Sequence, residues 1–126
     1  MNSVDSKAPC PCGSGKTFQQ CCHTYLSYKS IADTPVQLMR SRYSAFVCSN
    51  LDYLAKTWVT RNRPQLTEIL SGKVHWLGLT LLTAGNGIVS ENEGMVEFKA
   101  EYFEGTAVHC MHEKSRFVKE DKQWLY

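Results

Sequence analysis

No stretch of this 126-residue sequence is apolar over the length needed to cross a bilayer, and no charged start leads into an apolar export segment. The chain is therefore expected to be cytoplasmic and free of membrane contact. Charge of one sign is equally scarce. Fourteen basic and twelve acidic side chains leave a net charge of +2. That excess sits in the first 30 residues, where Lys7, Lys16 and Lys29 face only Asp5, and the other 96 residues carry eleven charges of each sign. A basic stripe of the kind that tracks nucleic acid is missing. Several catalytic signatures are missing too: H-E-x-x-H, G-x-S-x-G and any Ser/His/Asp arrangement. Gly13-Ser14-Gly15-Lys16-Thr17 has the tail of a phosphate loop, but the glycine that should open that loop is replaced by Cys10.

What the chain does have is a core's worth of apolar residues, 43%, and six cysteines. Without an export signal, cysteines point to metal or free thiols rather than to disulfides. Four of them fall within 13 residues, as Cys10-x-Cys12, an eight-residue gap, then Cys21-Cys22. A redox dithiol would show Cys-x-x-Cys beside a βαβ unit, and neither is present. Zinc takes four soft donors at tetrahedral corners, and two ligand pairs on a short loop can close around one ion if the loop folds back. Gly13 and Gly15 permit that reversal, Pro9 and Pro11 stiffen the first pair, and Phe18 is the one large apolar residue inside the loop. The expected metal ligands are Cys10, Cys12, Cys21 and Cys22, with His23 as an alternative to Cys22. Metal would replace the core that residues 1–30 lack.

Beyond residue 30 the pattern changes. Thr34 can cap a helix with Pro35 in its first turn, and Val36, Met39, Tyr43, Phe46 and Val47 recur at helical spacing. Arg40, Ser41 and Ser44 fall elsewhere on that helix. Asn50 caps a second helix with Leu51, Leu54, Ala55, Trp58 and Val59 as its stripe. Pro64 opens a third, through Leu70 and ended by Gly72. From Lys73 to Thr83 β-formers dominate, Asn86-Gly87 signals a turn, and 95–103 alternates with Val96, Phe98, Ala100 and Tyr102 on one face. Strands are also expected over 106–119 and 123–126. Helices first and an antiparallel meander afterwards predict an α+β fold.

In the larger segment His112-Glu113 is the natural pair to test for acid–base chemistry. Neighbours on a strand point to opposite faces, however, so the two side chains do not meet. Glu113 shares its face with Met111, Ser115 and Phe117, which predicts that it turns inward and is neutralised by Arg40 or Arg42 of the first long helix. Glu113, Arg40, Arg42 and His112 are the candidate catalytic residues. An ion pair tying helix to sheet is the favoured reading of the carboxylate. His109 and His112 are read as surface or satisfied strand histidines. Trp58, Trp76, Tyr43, Tyr53, Tyr102 and Phe117 are read as core rather than pocket, and Cys48 and Cys110 as small buried hydrophobes.

Two resemblances complete the reading. Cys10-Pro11-Cys12-Gly13-Ser14-Gly15-Lys16, Phe18 and Cys21-Cys22 resemble the SEC-C motif, the zinc-binding tail also found at the C-terminus of the SecA translocation ATPase. The resemblance implies bound Zn2+ and docking to a protein partner, such as the SecB chaperone or the ribosome. Met39 to Ala45, Trp76 to Leu79, His112 to Phe117 and Trp124 to Tyr126 resemble the YchJ-like (UPF0225) family, which joins a SEC-C motif to an NTF2-like domain. That resemblance implies a SEC-C segment over 1–30 and an NTF2-like cone over 31–126, with helices on a curved antiparallel sheet. Some members carry a second SEC-C motif at the C-terminus, whereas this sequence runs only to Tyr126, so a role needing two zinc modules is not expected. The expected function is a cytosolic zinc-binding adaptor whose body offers a homodimer surface or a small-ligand pocket. The alternatives are a small hydrolase or isomerase using a pocket carboxylate, and a weak nucleic-acid binder acting through the zinc module.

Overall fold

The structure, a computed structural model, describes residues 4–70 and 74–126. The expected helix stop at Gly72 and strand start at Lys73 lie outside the described residues. The chain opens with a loop that doubles back on itself, joined by a bridge between Pro9 and Thr17 and by Cys10 N–H donating to the Lys16 carbonyl at 2.9 Å. A turn of 3-10 helix and the short α1 (His23–Leu26) follow. Three further helices come next: α2 (Pro35–Val47), α3 (Leu51–Lys56) and the short α4 (Leu66–Ile69). The caps are those the sequence specifies. Thr34 Oγ1 accepts from Gln37 N at 3.1 Å, and Asn50 Oδ1 accepts from Tyr53 N at 3.0 Å.

Five strands form one antiparallel, curled sheet: β1 (His75–Leu81), β2 (Ile88–Ser90), β3 (Glu93–Glu104), β4 (Ala107–Glu120) and β5 (Gln123–Leu125). The order is β1-β3-β4-β5, with β2 also on β3. The short β2 has no alternating apolar pattern of its own, and all three of its residues are exposed. It forms because the turn at Glu91-Asn92 folds it back onto the start of β3, pairing Ser90 with Glu93 and Ile88 with Gly94, while Gly87, at φ +85°, ends the turn that leads into it. Alternation along β3 is as expected: Val96, Phe98 and Ala100 are buried.

The long helix α2 departs from the single-stripe expectation, because none of its residues is exposed. Met39, Tyr43 and Val47 pack toward the sheet as the stripe predicts. Leu38, on the flank, and the opposite side with Ser41, Ser44 and Ala45 are equally buried. Leu38 joins a cluster with Val96, Phe117 and Trp124, while Ala45 joins Leu26, Tyr53, Leu54 and the N-terminal cysteines. Small side chains at Ser41, Ser44 and Ala45 let the N-terminal loop and α3 approach the helix closely. The helix start is equally tight. A Cβ on Gly94 would lie 2.2 Å from Pro35 Cγ, so only glycine lets β3 pass beneath Pro35.

Candidate functional site

The four predicted ligands converge. The sulfurs of Cys10, Cys12, Cys21 and Cys22 all lie within 4.8 Å of one another. Corners of a tetrahedral zinc–thiolate site are about 3.8 Å apart, given a Zn–S bond of about 2.3 Å. Here Cys12 and Cys21 are separated by 3.7 Å and Cys21 and Cys22 by 4.0 Å. The donor set and its spacing therefore fit a tetrahedral metal ion. Cys22, which is fully buried, is the fourth member of the sulfur group. His23 is outside the group and sets its ring edge-on to Phe18, 5.4 Å between centroids. The reversal runs through Gly13 and Gly15, at φ +78° and +88°. Phe18 is buried in the same cluster as Cys10, Cys12 and Cys22, and so covers the site from within the loop.

Three polar side chains support the sulfurs. Ser14 Oγ donates to Cys21 Sγ at 3.2 Å, and Ser44 Oγ lies 3.6 Å from Cys10 Sγ. Arg40 Nη1 donates to the Cys12 carbonyl at 2.9 Å and lies 3.6 Å from Cys12 Sγ. Hydrogen bonds from Cys10 and Cys22, with help from Ser14 and Arg40, hold the Cys12 thiol far below its ordinary pKa. Hydrogen bonds to Cys10 and Cys12, with burial, push the Cys22 thiol far above its ordinary pKa. Burial also raises Cys21. A metal ion bound by this quartet takes the sulfurs as thiolates, so binding releases their protons. The sequence offers Arg40 or Arg42 to the Glu113 carboxylate and gives Ser14 and Ser44 no role. The available signal was the pair Ser41 and Ser44, three apart on the side of α2 away from the apolar stripe.

The second candidate group does not assemble as predicted. Among the described residues, neither Arg40 nor Arg42 forms an ion pair with Glu113. Arg40 is drawn to Cys12. Arg42 is buried and donates through Nη1 to the Leu54 carbonyl at 2.9 Å and to Thr57 Oγ1 at 2.6 Å, capping the end of α3. Glu113 does turn inward, beside Ser115 Oγ at 3.4 Å. His112 faces outward, and its Nε2 meets Glu97 Oε2 at 2.6 Å, which satisfies it as a surface residue. His109 stacks on Tyr102.

Between α2 and the sheet lies a cavity of about 270 Å³, lined by Tyr43, Trp58, Trp76 and Tyr126 with Arg42 and Glu113. Tyr43 is core, as expected, with one side on the cavity, but the core reading is corrected for Trp58 and Trp76, which are half-buried on its wall: curvature of the sheet holds its concave face off the helix and leaves space between them. Tyr53 and Phe117 are core, as expected. Cys48 is half-buried, but Cys110 is exposed, because it lies on the outward side of β4 near the β3–β4 hairpin tip.

Residues 7–24 match the SEC-C motif, and residues 34–126 match the YchJ middle NTF2-like domain. The UPF0225 protein YchJ of Shigella dysenteriae is 42% identical over 121 residues, 93% of this chain and 79% of that protein. The chain belongs to the YchJ (UPF0225) family. Two solved structures share the family's architecture. A SEC-C motif containing protein from Rhodopseudomonas palustris superposes with a TM-score of 0.83 at 31% identity, covering 92% of each chain. A SEC-C motif containing protein from Psychrobacter arcticus gives 0.81 at 29% identity, covering 95% of this chain and 80% of the other. In this YchJ-family chain the SEC-C loop is no free appendage: its cysteines share a buried cluster with Ala45, Tyr53 and Leu54 of the larger segment. No helix among the described residues is long and apolar enough to cross a membrane.

Proposed function

We propose that this chain is a zinc-binding interaction protein of the cytoplasm, with Zn2+ held by Cys10, Cys12, Cys21 and Cys22. The observation that carries the metal reading is the sulfur spacing, 3.7 Å between Cys12 and Cys21, which matches a tetrathiolate site. The ion clamps the loop against α2 and leaves Gly13, Gly15, Lys16, Gln19 and Gln20 exposed around the site. That small polar face, carrying a single positive charge, is the surface through which a protein partner would dock. The SEC-C resemblance supports the SecB chaperone or the ribosome as the kind of partner.

Elemental analysis of the purified chain tests the metal: one zinc per chain is expected, and none would overturn it. Co-sedimentation with ribosomes and titration against the SecB chaperone test the docking. Lys16→Glu is the variant to use, because removing a cysteine would disturb the shared core. Wild-type binding that is lost in Lys16→Glu supports the docking. Failure to bind either partner refutes it without touching the metal reading. The enzyme alternative keeps one observation in its favour, a carboxylate, Glu113, on a cavity wall. It lacks a partner acid or base, since His112 lies on the other face of the strand paired to Glu97.

A further inference from the structure

Arg42 is a charged side chain only 4% exposed, yet no carboxylate neutralises it among the described residues. Its surroundings account for part of this. The guanidinium carbon lies 4.8 Å from the ring centroids of both Trp58 and Tyr126, and those centroids are 5.1 Å from each other. Three nearly equal separations form a triangle, so the two rings make a corner on one side of the cation and do not sandwich it. Both hydrogen bonds of the guanidinium leave from Nη1, to Leu54 and Thr57. Nη2 and Nε have no hydrogen-bond partner among the described residues, and neither is sealed off from accessible space.

The space that Arg42 lines is the aromatic cavity of about 270 Å³ between α2 and the sheet. This volume lies just below the usual range of small-ligand sites, roughly 300–1,000 Å³. Its walls are apolar, and it presents one cationic fork. A guanidinium edge with two parallel N–H groups is the complement of a carboxylate, which accepts both. Capping α3 needs only Nη1, so it does not explain the second edge. Glu113 lines the same cavity and also a second, more polar one that holds Lys114 and Arg116. Its carboxylate already accepts from Ser115 and approaches the Tyr126 hydroxyl, so it is provided with donors while Arg42 lacks an acceptor. A negative group nearby disfavours a dianion such as a phosphate monoester and leaves room for a single negative charge.

We propose that this cavity binds a small organic carboxylate with an apolar body, its head group on the free edge of Arg42 and its body against Trp58 and Trp76. The site is independent of the metal and of any docking at the cysteine loop.

Phenylacetate and its neutral counterpart phenylacetamide are suitable probes, used with the intact, metal-loaded chain. Tryptophan fluorescence reports occupancy, and the Arg42 Nε–Hε resonance reports contact with the head group. The acid is expected to bind about tenfold or more tightly than the amide and to shift the Arg42 resonance saturably. Arg42→Gln removes the preference for the acid. Glu113→Gln strengthens acid binding, because a like charge is lost. Equal affinity for acid and amide, no saturable shift at concentrations of about 10 mM, or an unchanged preference in Arg42→Gln would each overturn the proposal. If Arg42→Gln does not fold, the wild-type resonance and the Glu113→Gln titration decide the question alone.

Discussion

Arg40 donates from Nη1 to the carbonyl oxygen of Cys12 at 2.9 Å, and the same nitrogen lies 3.6 Å from the Cys12 sulfur. One side chain of α2 thus holds both the backbone and the sulfur of a residue 28 positions earlier. Donors of this kind orient metal ligands and offset their negative charge, and their loss typically lowers metal affinity by about 10- to 100-fold. Arg40→Ala is expected to fall in that range in competition titrations with a chromogenic chelator. Arg40→Lys should recover part of the loss, since it restores a charge without the planar fork.

His23→Ala should leave zinc affinity and stoichiometry unchanged, because His23 packs on Phe18 outside the sulfur group. Cys22→Ser should abolish stoichiometric binding and also lower the melting temperature, as Cys22 is fully buried in the shared cluster. Elemental analysis and thermal unfolding of the two variants side by side separate these outcomes. A chelator added to the wild-type chain should mimic the second pattern, with loss of near-UV signal from Tyr53 as well as loss of metal.

Gly94→Ala should destabilise the chain by about 1–3 kcal/mol, the usual range for overpacking. The new methyl would lie 2.2 Å from Pro35 Cγ, and a ring at a helix start cannot swing aside. Pro35→Ala should relieve most of that cost in the double variant. Urea midpoints of the two single variants and the double variant give the coupling directly.

Alkaline unfolding should follow the buried tyrosines. Burial pushes Tyr43 and Tyr53 up to about 12 from an ordinary 10.0. A phenol whose folded pKa is raised contributes stability that is complete below the unfolded value and disappears as pH climbs through the folded one. Stability should therefore hold up to about pH 10 and fall between there and about pH 12. Tyrosinate absorbance should rise cooperatively with loss of helix. A gradual rise with the helices intact would show that these rings ionise in place.

The sequence was most informative where the determinants are local. The cysteine spacing, the glycines of the loop and the caps at Thr34 and Asn50 each need only a few neighbouring residues, and all appear where expected. Strand β3 was legible from alternation over 95–103. The supporting shell was not, because it depends on which elements meet. An apolar stripe on α2 suggested one buried side, and the second came from the docking of the loop and α3, which no periodicity encodes. The Glu113 pairing failed for a related reason. Its inward direction follows from the strand, but whether an arginine reaches it depends on the gap left by sheet curvature. That same gap turned Trp58 and Trp76 from expected core into cavity wall.

Ser44 and Ala45 are both completely covered, and the first of them lies 3.6 Å from Cys10 Sγ. They serve as a bed for the cysteine loop. Bulkier side chains at these two places would prop the loop away from the helix even with every sulfur retained, so grafting residues 1–30 onto a different carrier would require hollowing out a matching seat in the recipient.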